Sequence, residues 1–460
     1  MKQALEIDTP MTRAELRASL SLAGIYMLRM LGLFMILPVF SIYARDLEGS
    51  TPFLIGLAIS AYGLTQALLG IPYGLWSDHV GRKKVIAFGL LVFALGSVVA
   101  ALADSIYGVI LGRSIQGAGA VASVVMALAA DLTREEHRTK AMALIGISIG
   151  ISFAVSMVAG PVLEGLIGVK GIFWVISCLA LAGIAVLYLI VPTPVVSRFH
   201  RDAEAQPAQF GKVLKNPELL RLDFGIFSLH AILTATFVVV PLVLRDTVQL
   251  ETASHWMVYL PVFLLSMFGM VPFVILAEKK RKMKPVFVSF IAVVALADAG
   301  LFFGAYNIYV IGFLLFVFFT GFNLLEATLP SMISKVAPSE LKGTAMGVYS
   351  AAQFFGAFVG GVTGGTIYGI FGVPYVFAFC SILALIWALV ALRMAPPRHL
   401  SSLLINFGIL SASEAIAISA KLRLVPGVIE AVVLADDGVA YLKVEKEKLD
   451  KTALEGLLPE

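Results

Sequence analysis

Charge is what this sequence has least of. Asp, Glu, Lys and Arg supply 14% of its 460 residues and hydrophobic residues 59%, whereas soluble domains carry roughly a quarter charged residues. A water-soluble globular chain is thereby excluded and a membrane indicated. Cysteine is almost missing: Cys178 and Cys380 each sit within an apolar run, where a thiol acts as a small hydrophobe, so neither a disulfide scaffold nor a thiolate metal centre is expected. The six histidines are scattered singly, which assembles neither a hydrolase triad nor a metal cluster. No enzyme activity, cofactor or metal is expected. Glu6, Asp8 and Glu15 stand where a signal peptide would be basic, and the first apolar run is too long for a signal core, so no cleavable signal is read.

What is present is a long apolar run, repeated. Nearly charge-free stretches cover residues 19–43, 51–77, 85–103, 105–130, 141–163 and 171–192, then 224–244, 254–277, 285–304, 307–334, 344–371 and 373–392. About 20 residues cross a bilayer, and a backbone in hydrocarbon must satisfy its own hydrogen bonds, so each run is expected to be a helix. Internal prolines such as Pro38 and Pro161 mark kinks. The expected fold is an all-α polytopic membrane protein of twelve transmembrane helices, in six-helix halves at 1–192 and 222–395. A cytoplasmic linker, 193–221, holds "FGKVLKNPELLRL", an amphipathic segment suited to the membrane surface.

Cations set the orientation. Loops after even-numbered runs hold Arg82, Lys83, Lys84, Arg134, Arg138, Lys140, Arg198, Arg201, Lys212, Lys215, Arg221, "EKKRKMK", Lys335 and Lys342; the opposite loops hold Arg45, Lys170 and Arg245. By the positive-inside rule both termini are cytoplasmic. The net charge of +4 is then a topology signal, and the partners expected are membrane lipids rather than nucleic acid.

The halves echo each other. "KAMAL" at 140–144 recurs as "GTAMGV" at 343–348, Asp78 and Glu278 each precede a basic loop, and Gly117, Cys178 and Gly160 match Gly321, Cys380 and Gly364 at nearly constant separation. Duplication of a six-helix unit is the architecture of secondary transporters, which rock one half against the other about a central site.

Deep ionisable groups are few. Arg29, Arg113, His230 and Glu326 lie on runs 1, 4, 7 and 10, with Tyr26, Gln116, Thr234 and Asn323 at helical spacing beside them. Insertion costs about 2.5–3.5 kcal/mol for a charge at a helix centre, so a functional role, in substrate binding or proton coupling, is expected of these four. The alternative is structural: Arg113 on helix-end carbonyls and His230 as a satisfied bundle histidine. Asp298, nearer the periplasmic end of an outer run, is expected to pack or snorkel. At the cytoplasmic end, Asp78 beside Arg82, with Asp131 ending run 4, forms an acid–base–acid set, either a functional network or simple anchoring. Gly146, Gly150, Gly160 and Gly165 bare one helix surface for close packing.

"GLWSDHVGRKK" at 74–84 resembles the loop motif of the major facilitator superfamily. "LGRSIQGAGA" at 111–120 is similar to its span-4 motif, and "GISIG" with "AGPVLEG", between 146 and 165, to its span-5 antiporter motif. "LGLFMILPVF" at 31–40 is similar to the span-1 signature of twelve-span drug/proton antiporters, with Ser41 in place of its final proline. The resemblance covers residues 15–395. It implies a bacterial inner-membrane location and a conformational latch of Gly74, Asp78, Gly81, Arg82 and Asp131, whose aspartate meets the start of span 11 near Leu341–Thr344 in the outward-facing state. Glu278 with Arg281 and Lys282 looks like a degraded second copy. It also implies that the span-5 face, with Pro161 and Glu164, closes the periplasmic side against the opposite half. Many drug/proton antiporters place a carboxylate on span 1, where this chain has Arg29. Proton coupling is therefore expected to fall to Glu326 first and His230 second.

After a linker at 396–401 the composition turns soluble. Residues 402–460 read as βαββα, with helices at 413–424 and 446–458, a turn at Asp437–Gly438, and Val432, Leu434, Leu442 and Val444 on the core face. Lys443 is among the charges expected to solvate its surface. This resembles a ferredoxin-like domain of the heavy-metal-associated type, but 408–413 lacks the CxxC pair, so regulation or self-association through a sheet edge is expected instead. The functional expectation is a proton-coupled exporter of small, amphipathic molecules, driven by the proton gradient through alternating access. Uptake or symport of a polar solute, and a non-transporting sensor with the tail as output, are the competing readings.

Overall fold

The computed structural model describes residues 10–193, 206–304, 307–338, 341–396, 401–408, 410–434, 438–445 and 448–457. Arg198, Arg201, Asp437 and the start of the expected last helix lie outside them. The first half contains α1 (Arg13–Phe34), α2 (Phe40–Tyr43), α3 (Pro52–Val80), α4 (Arg82–Leu102), α5 (Ile106–Ala118), α6 (Ala122–Asp131) and α7 (Glu135–Leu189). After α8 (Phe210–Val213) come α9 (Pro217–Leu242), α10 (Trp256–Lys279), α11 (Met283–Phe303), α12 (Ile308–Val336), α13 (Lys342–Phe371) and α14 (Val373–Leu392). The tail adds β1 (Ser401–Asn406), α15 (Ala412–Arg423), β2 (Val428–Leu434), β3 (Val439–Val444) and α16 (Lys451–Glu455).

Local chemistry sets the helix ends. Thr12 and Glu15 form a capping box on α1, and the Thr51 hydroxyl accepts from Leu54 N ahead of Pro52, whose absent N–H is no loss in a first turn. Gly81, at φ 102°, permits the sharp turn from α3 to α4. Among the described residues, eleven helices are long and apolar enough to cross a membrane, with α5 and α6 making one of them. The 55 residues of α7 far exceed one bilayer at ~1.5 Å per residue. Gly168, at φ 68°, divides α7 into two helices. The first expected run also breaks, because α1 ends before Pro38 and α2 resumes beyond it.

Backbone contact between helices holds the centre together. A Cβ on Gly360 would fall 2.1 Å from Ala231 O, and one on Gly56 would fall 2.1 Å from Gly361 O. Glycine thus lets α13 lie directly against α9 of its own half and α3 of the other. Large apolar side chains such as Leu189, Phe268 and Phe303 point outward, as a lipid-facing surface requires.

In the tail, β3 lies between β1 and β2, antiparallel to both. Its core gathers Leu422, Val428, Ala431, Ala440, Leu442 and Leu454. Ala431 pairs with Leu442 and Val432 with Tyr441; since paired residues share a face, Val432 is on the side opposite to the core, contrary to expectation. The last helix is also shorter than expected, at Lys451–Glu455. Lys443, expected to be solvated, is 8% exposed. Its ammonium donates to Ala337 O at the end of α12 and pairs with Glu430 at 3.5 Å.

Candidate functional site

In the first half the deep polar groups form one cluster around Tyr62. Arg29 Nη2 donates to Tyr62 Oη at 2.5 Å and to Gln66 Oε1. Arg113 Nη1 donates to Gln116 Oε1 at 2.9 Å and Nη2 to Ile59 O at 3.2 Å, while Gln116 donates onward to Ser97 Oγ at 2.7 Å. Both guanidinium groups lie over the Tyr62 ring, at 5.7 Å and 5.3 Å. Tyr26, buried on α1, lies within electrostatic reach of Arg29. Tyr62 and Gln66, four apart on α3, went unnoticed in the sequence because neutral polar groups do not interrupt an apolar run.

The second half brings His230, Glu326 and Gln353 together from α9, α12 and α13. Gln353 Nε2 lies 3.2 Å from Glu326 Oε1 and 2.9 Å from His230 Nε2, and His230 Nδ1 is 3.9 Å from Glu326 Oε2. Asn323 is drawn aside instead, donating to Ser266 Oγ at 3.0 Å. His230 Nδ1 meets Ile226 O at 3.3 Å, and no hydrogen bond joins it to Thr234 among the described residues. Asp223, two turns before His230, is 6% exposed with neither carboxylate oxygen partnered. It was missed because it stands one residue before the charge-free run. Asp298 is 0% exposed and likewise unpartnered, so it does not snorkel.

At the cytoplasmic end Arg82 joins the expected acids. Its Nη1 donates to Asp78 Oδ1, and to Ser77 Oγ at 2.6 Å, while Nε lies 3.3 Å from Asp131 Oδ2. Gly74 packs on Ser123, 3.4 Å from where its Cβ would be. The start of α13 is met by the linker: Gln206 N donates to Thr344 Oγ1 at 2.9 Å, and Thr344 donates to Gln209 Oε1 at 3.2 Å. Asp78 makes no hydrogen bond there among the described residues. In the second half Glu278 accepts from Lys335, at 2.9 Å, and from Ser331.

The periplasmic end is closed between halves. Arg45 of the first half reaches Asp246 at 2.5 Å and Tyr368 at 2.6 Å. Burial opposes the Arg45 charge, but those two partners hold its pKa above the ordinary arginine value. The span-5 glycines contribute unevenly. Gly160 packs on Met35 O within its own half, Gly165 approaches Ala253 across the interface, and Gly146 and Gly150 have open space around them. Glu164 lies within electrostatic reach of Glu251 and Arg245 of the other half, and Pro161 is accommodated inside α7. Backbone meets backbone across the halves at Gly56 with Gly361 and Gly365, while the span-5 helix meets the opposite half through Gly165 on Ala253 and Phe153 on Phe263.

A model described as Major Facilitator Superfamily matches residues 22–361 and 284–418. The chain belongs to that superfamily. It is 45% identical to the inner membrane transport protein YajR of Escherichia coli K12 over 97% of this chain and 98% of that one. It is 27% identical to multidrug resistance protein 2 of Bacillus subtilis over 46% and 50% of the two chains. Among solved structures, a bacterial homologue of the human lysosomal transporter Spinster, inward-facing and occupied, matches with a TM-score of 0.71 at 14% identity, covering 83% of this chain and 97% of that one. The protein is thus a multi-pass inner-membrane transporter of the superfamily, not an enzyme.

Proposed function

We propose that this transporter exports small amphipathic molecules in exchange for protons by alternating access. Counting the two parts of α7 separately gives twelve crossings in two six-helix halves, and the tail's split βαβ with a central third strand is ferredoxin-like. The observation that carries proton coupling is the Glu326–Gln353–His230 cluster, which ties three helices through one titratable carboxylate. A carboxylate only accepts hydrogen bonds, whereas a carboxylic acid also donates. A proton taken up on Oε2, which has no hydrogen-bond partner among the described residues, would let Glu326 donate as well as accept, while Oε1 keeps its contact with Gln353.

Asp78, Arg82 and Asp131 act as the latch. With the periplasmic seam closed, Asp78 rests on Arg82; as the halves rock, the aspartate reaches the positive start of α13. Such a helix-dipole contact is worth about 0.3–1 kcal/mol, enough to bias a balanced equilibrium without freezing it. The multidrug resistance name of a relative supports efflux. Counterflow in proteoliposomes across a compound library, with and without a pH gradient, tests the proposal. Exchange of at least one compound, accelerated by the gradient, is expected; no exchange for any compound would favour a sensor.

A further inference from the structure

Arg29 and Arg113 are each 1% exposed inside the first half, and their donors outnumber their acceptors. Arg29 Nε and Nη1 and Arg113 Nε have no partner. Every acceptor they do have is neutral: Tyr62 Oη, Gln66 Oε1, Gln116 Oε1 and Ile59 O. Acids at the ends of the first half pair with other cations, Asp78 and Asp131 with Arg82 and Glu15 with Arg134 at the cytoplasmic end, and Asp104 with Lys170 at the other. Two cations flanking one ring repel each other in a low dielectric, and a buried charge without a counter-ion is strongly unfavourable. Neutral acceptors and aromatic faces offset part of that cost, and an anion entering between the two cations would supply the missing counter-charge.

We propose that Arg29 and Arg113 bind the anionic group of the transported molecule, and that this substrate is a small organic anion with an aromatic or apolar body. Guanidinium forks match a planar oxyanion by paired N–H donors, and the three nitrogens without a partner among the described residues are the donors available. The body of the molecule lies against aromatic faces: Arg29 also sits over Phe93, at 5.9 Å, and the Tyr62 ring meets Phe354 of the opposite half at 6.1 Å. That last contact places the site at the seam where rocking would admit a ligand. The proposal rests on the alternating-access reading and narrows its substrate class.

The test uses the full-length protein purified in nanodiscs and follows thermal unfolding with isosteric probes of different charge: benzoate, benzenesulfonate and phenylphosphonate as anions, benzamide as neutral, benzylammonium as cation. A ligand that binds only the folded state raises its stability in a concentration-dependent way. At least one anion is expected to stabilise the protein where benzamide and benzylammonium do not. Arg29→Gln and Arg113→Gln should each weaken that anion at least tenfold, about 1.4 kcal/mol, and Arg29→Lys should retain part of the effect. No stabilisation by any of the three anions, equal stabilisation by benzamide, stabilisation by benzylammonium instead, or unchanged anion affinity in both glutamine variants would overturn the proposal. Should a variant not fold, the wild-type comparison among the probes still decides. Failure here would leave alternating access standing, because that is read separately from the labelling of Asp78→Asn described below.

Discussion

Inside the first half the deep ionisable groups are cations, Arg29 and Arg113; inside the second they are Asp223, Asp298 and Glu326, with His230 beside the last. The cytoplasmic ends differ too. Arg82 is buried between two acids in the first half, whereas Glu278 of the second meets Lys335 with 43% of its side chain exposed. The two halves thus differ in the sign of the charge they bury. The comparison suggests a division of labour: the first half holds the substrate's charge and the latch, and the second carries the proton.

The sharpest way to break that division is Glu326→Gln, which keeps an acceptor for Gln353 but cannot titrate. Substrate accumulation driven by a pH gradient should be lost, while counterflow, which needs no net proton movement, should partly survive. Proton-driven accumulation in the variant would move the carrier to His230 or Asp223. The seam between halves comes next. A Cβ at Gly361 would sit 2.5 Å from Ser60 Cβ, whereas one at Gly146 meets nothing within 4 Å. Gly361→Val should therefore disturb periplasmic closure by about 1–3 kcal/mol through overpacking, and Gly146→Val should stay within about 0.5 kcal/mol. Periplasmic accessibility to a membrane-impermeant thiol reagent reads both, and an effect at Gly146 as large as that at Gly361 would overturn the assignment of the seam to Gly56 and Gly361.

The two latch copies offer a subtler comparison. Asp78→Asn removes the charge that meets the positive start of α13 when the cytoplasmic side closes, a contact worth about 0.3–1 kcal/mol. Thiol labelling of a cysteine introduced at the cytoplasmic mouth should rise several-fold. Glu278→Gln removes an exposed pair worth about 0–1 kcal/mol and should change labelling little. Equal responses would mean that the copies share the task, and no response to Asp78→Asn would reduce the motif to an anchor.

How legible this was in the sequence follows from what sets each feature. Apolar runs are dictated by the solvent, so the spans could be read directly, and a charge inside hydrocarbon is rare enough that Arg29, Arg113, His230 and Glu326 stood out. Their partners Tyr62, Gln66 and Gln353 are neutral and leave hydropathy unbroken. The seam at Gly56 and Gly361 depends on two helices from different halves meeting, which no local pattern records. Asp78, Arg82 and Asp131 were legible as a set, and the buried Arg82 joins both acids, whereas Asp78 makes no hydrogen bond to α13 among the described residues. In the tail, Ala431 and Val432 are both apolar, so alternation could not choose the core face; pairing with Leu442 on β3 did.

Where the tail meets the bundle the effect is expected on docking and not on exchange. Ala337 caps the end of α12, and its carbonyl receives the Lys443 ammonium from β3, beside Glu430. Helix-end carbonyls lack intrahelical donors, so a lysine arriving from another domain satisfies one and gains from the negative end of the helix dipole. The tail's own core does not use Lys443, which lies on the sheet face opposite Leu442 and Val444. Lys443→Ala should therefore leave the tail folded and exchange through the bundle intact, while loosening the docking by about 1 kcal/mol. Hydrogen exchange on the full-length protein would show it as faster exchange in β3 and in the last turn of α12, with α15 unchanged. Unfolding of α15 along with β3 would mean that the bundle supports the tail's fold. No change at α12 would mean that Lys443 does not hold the two together.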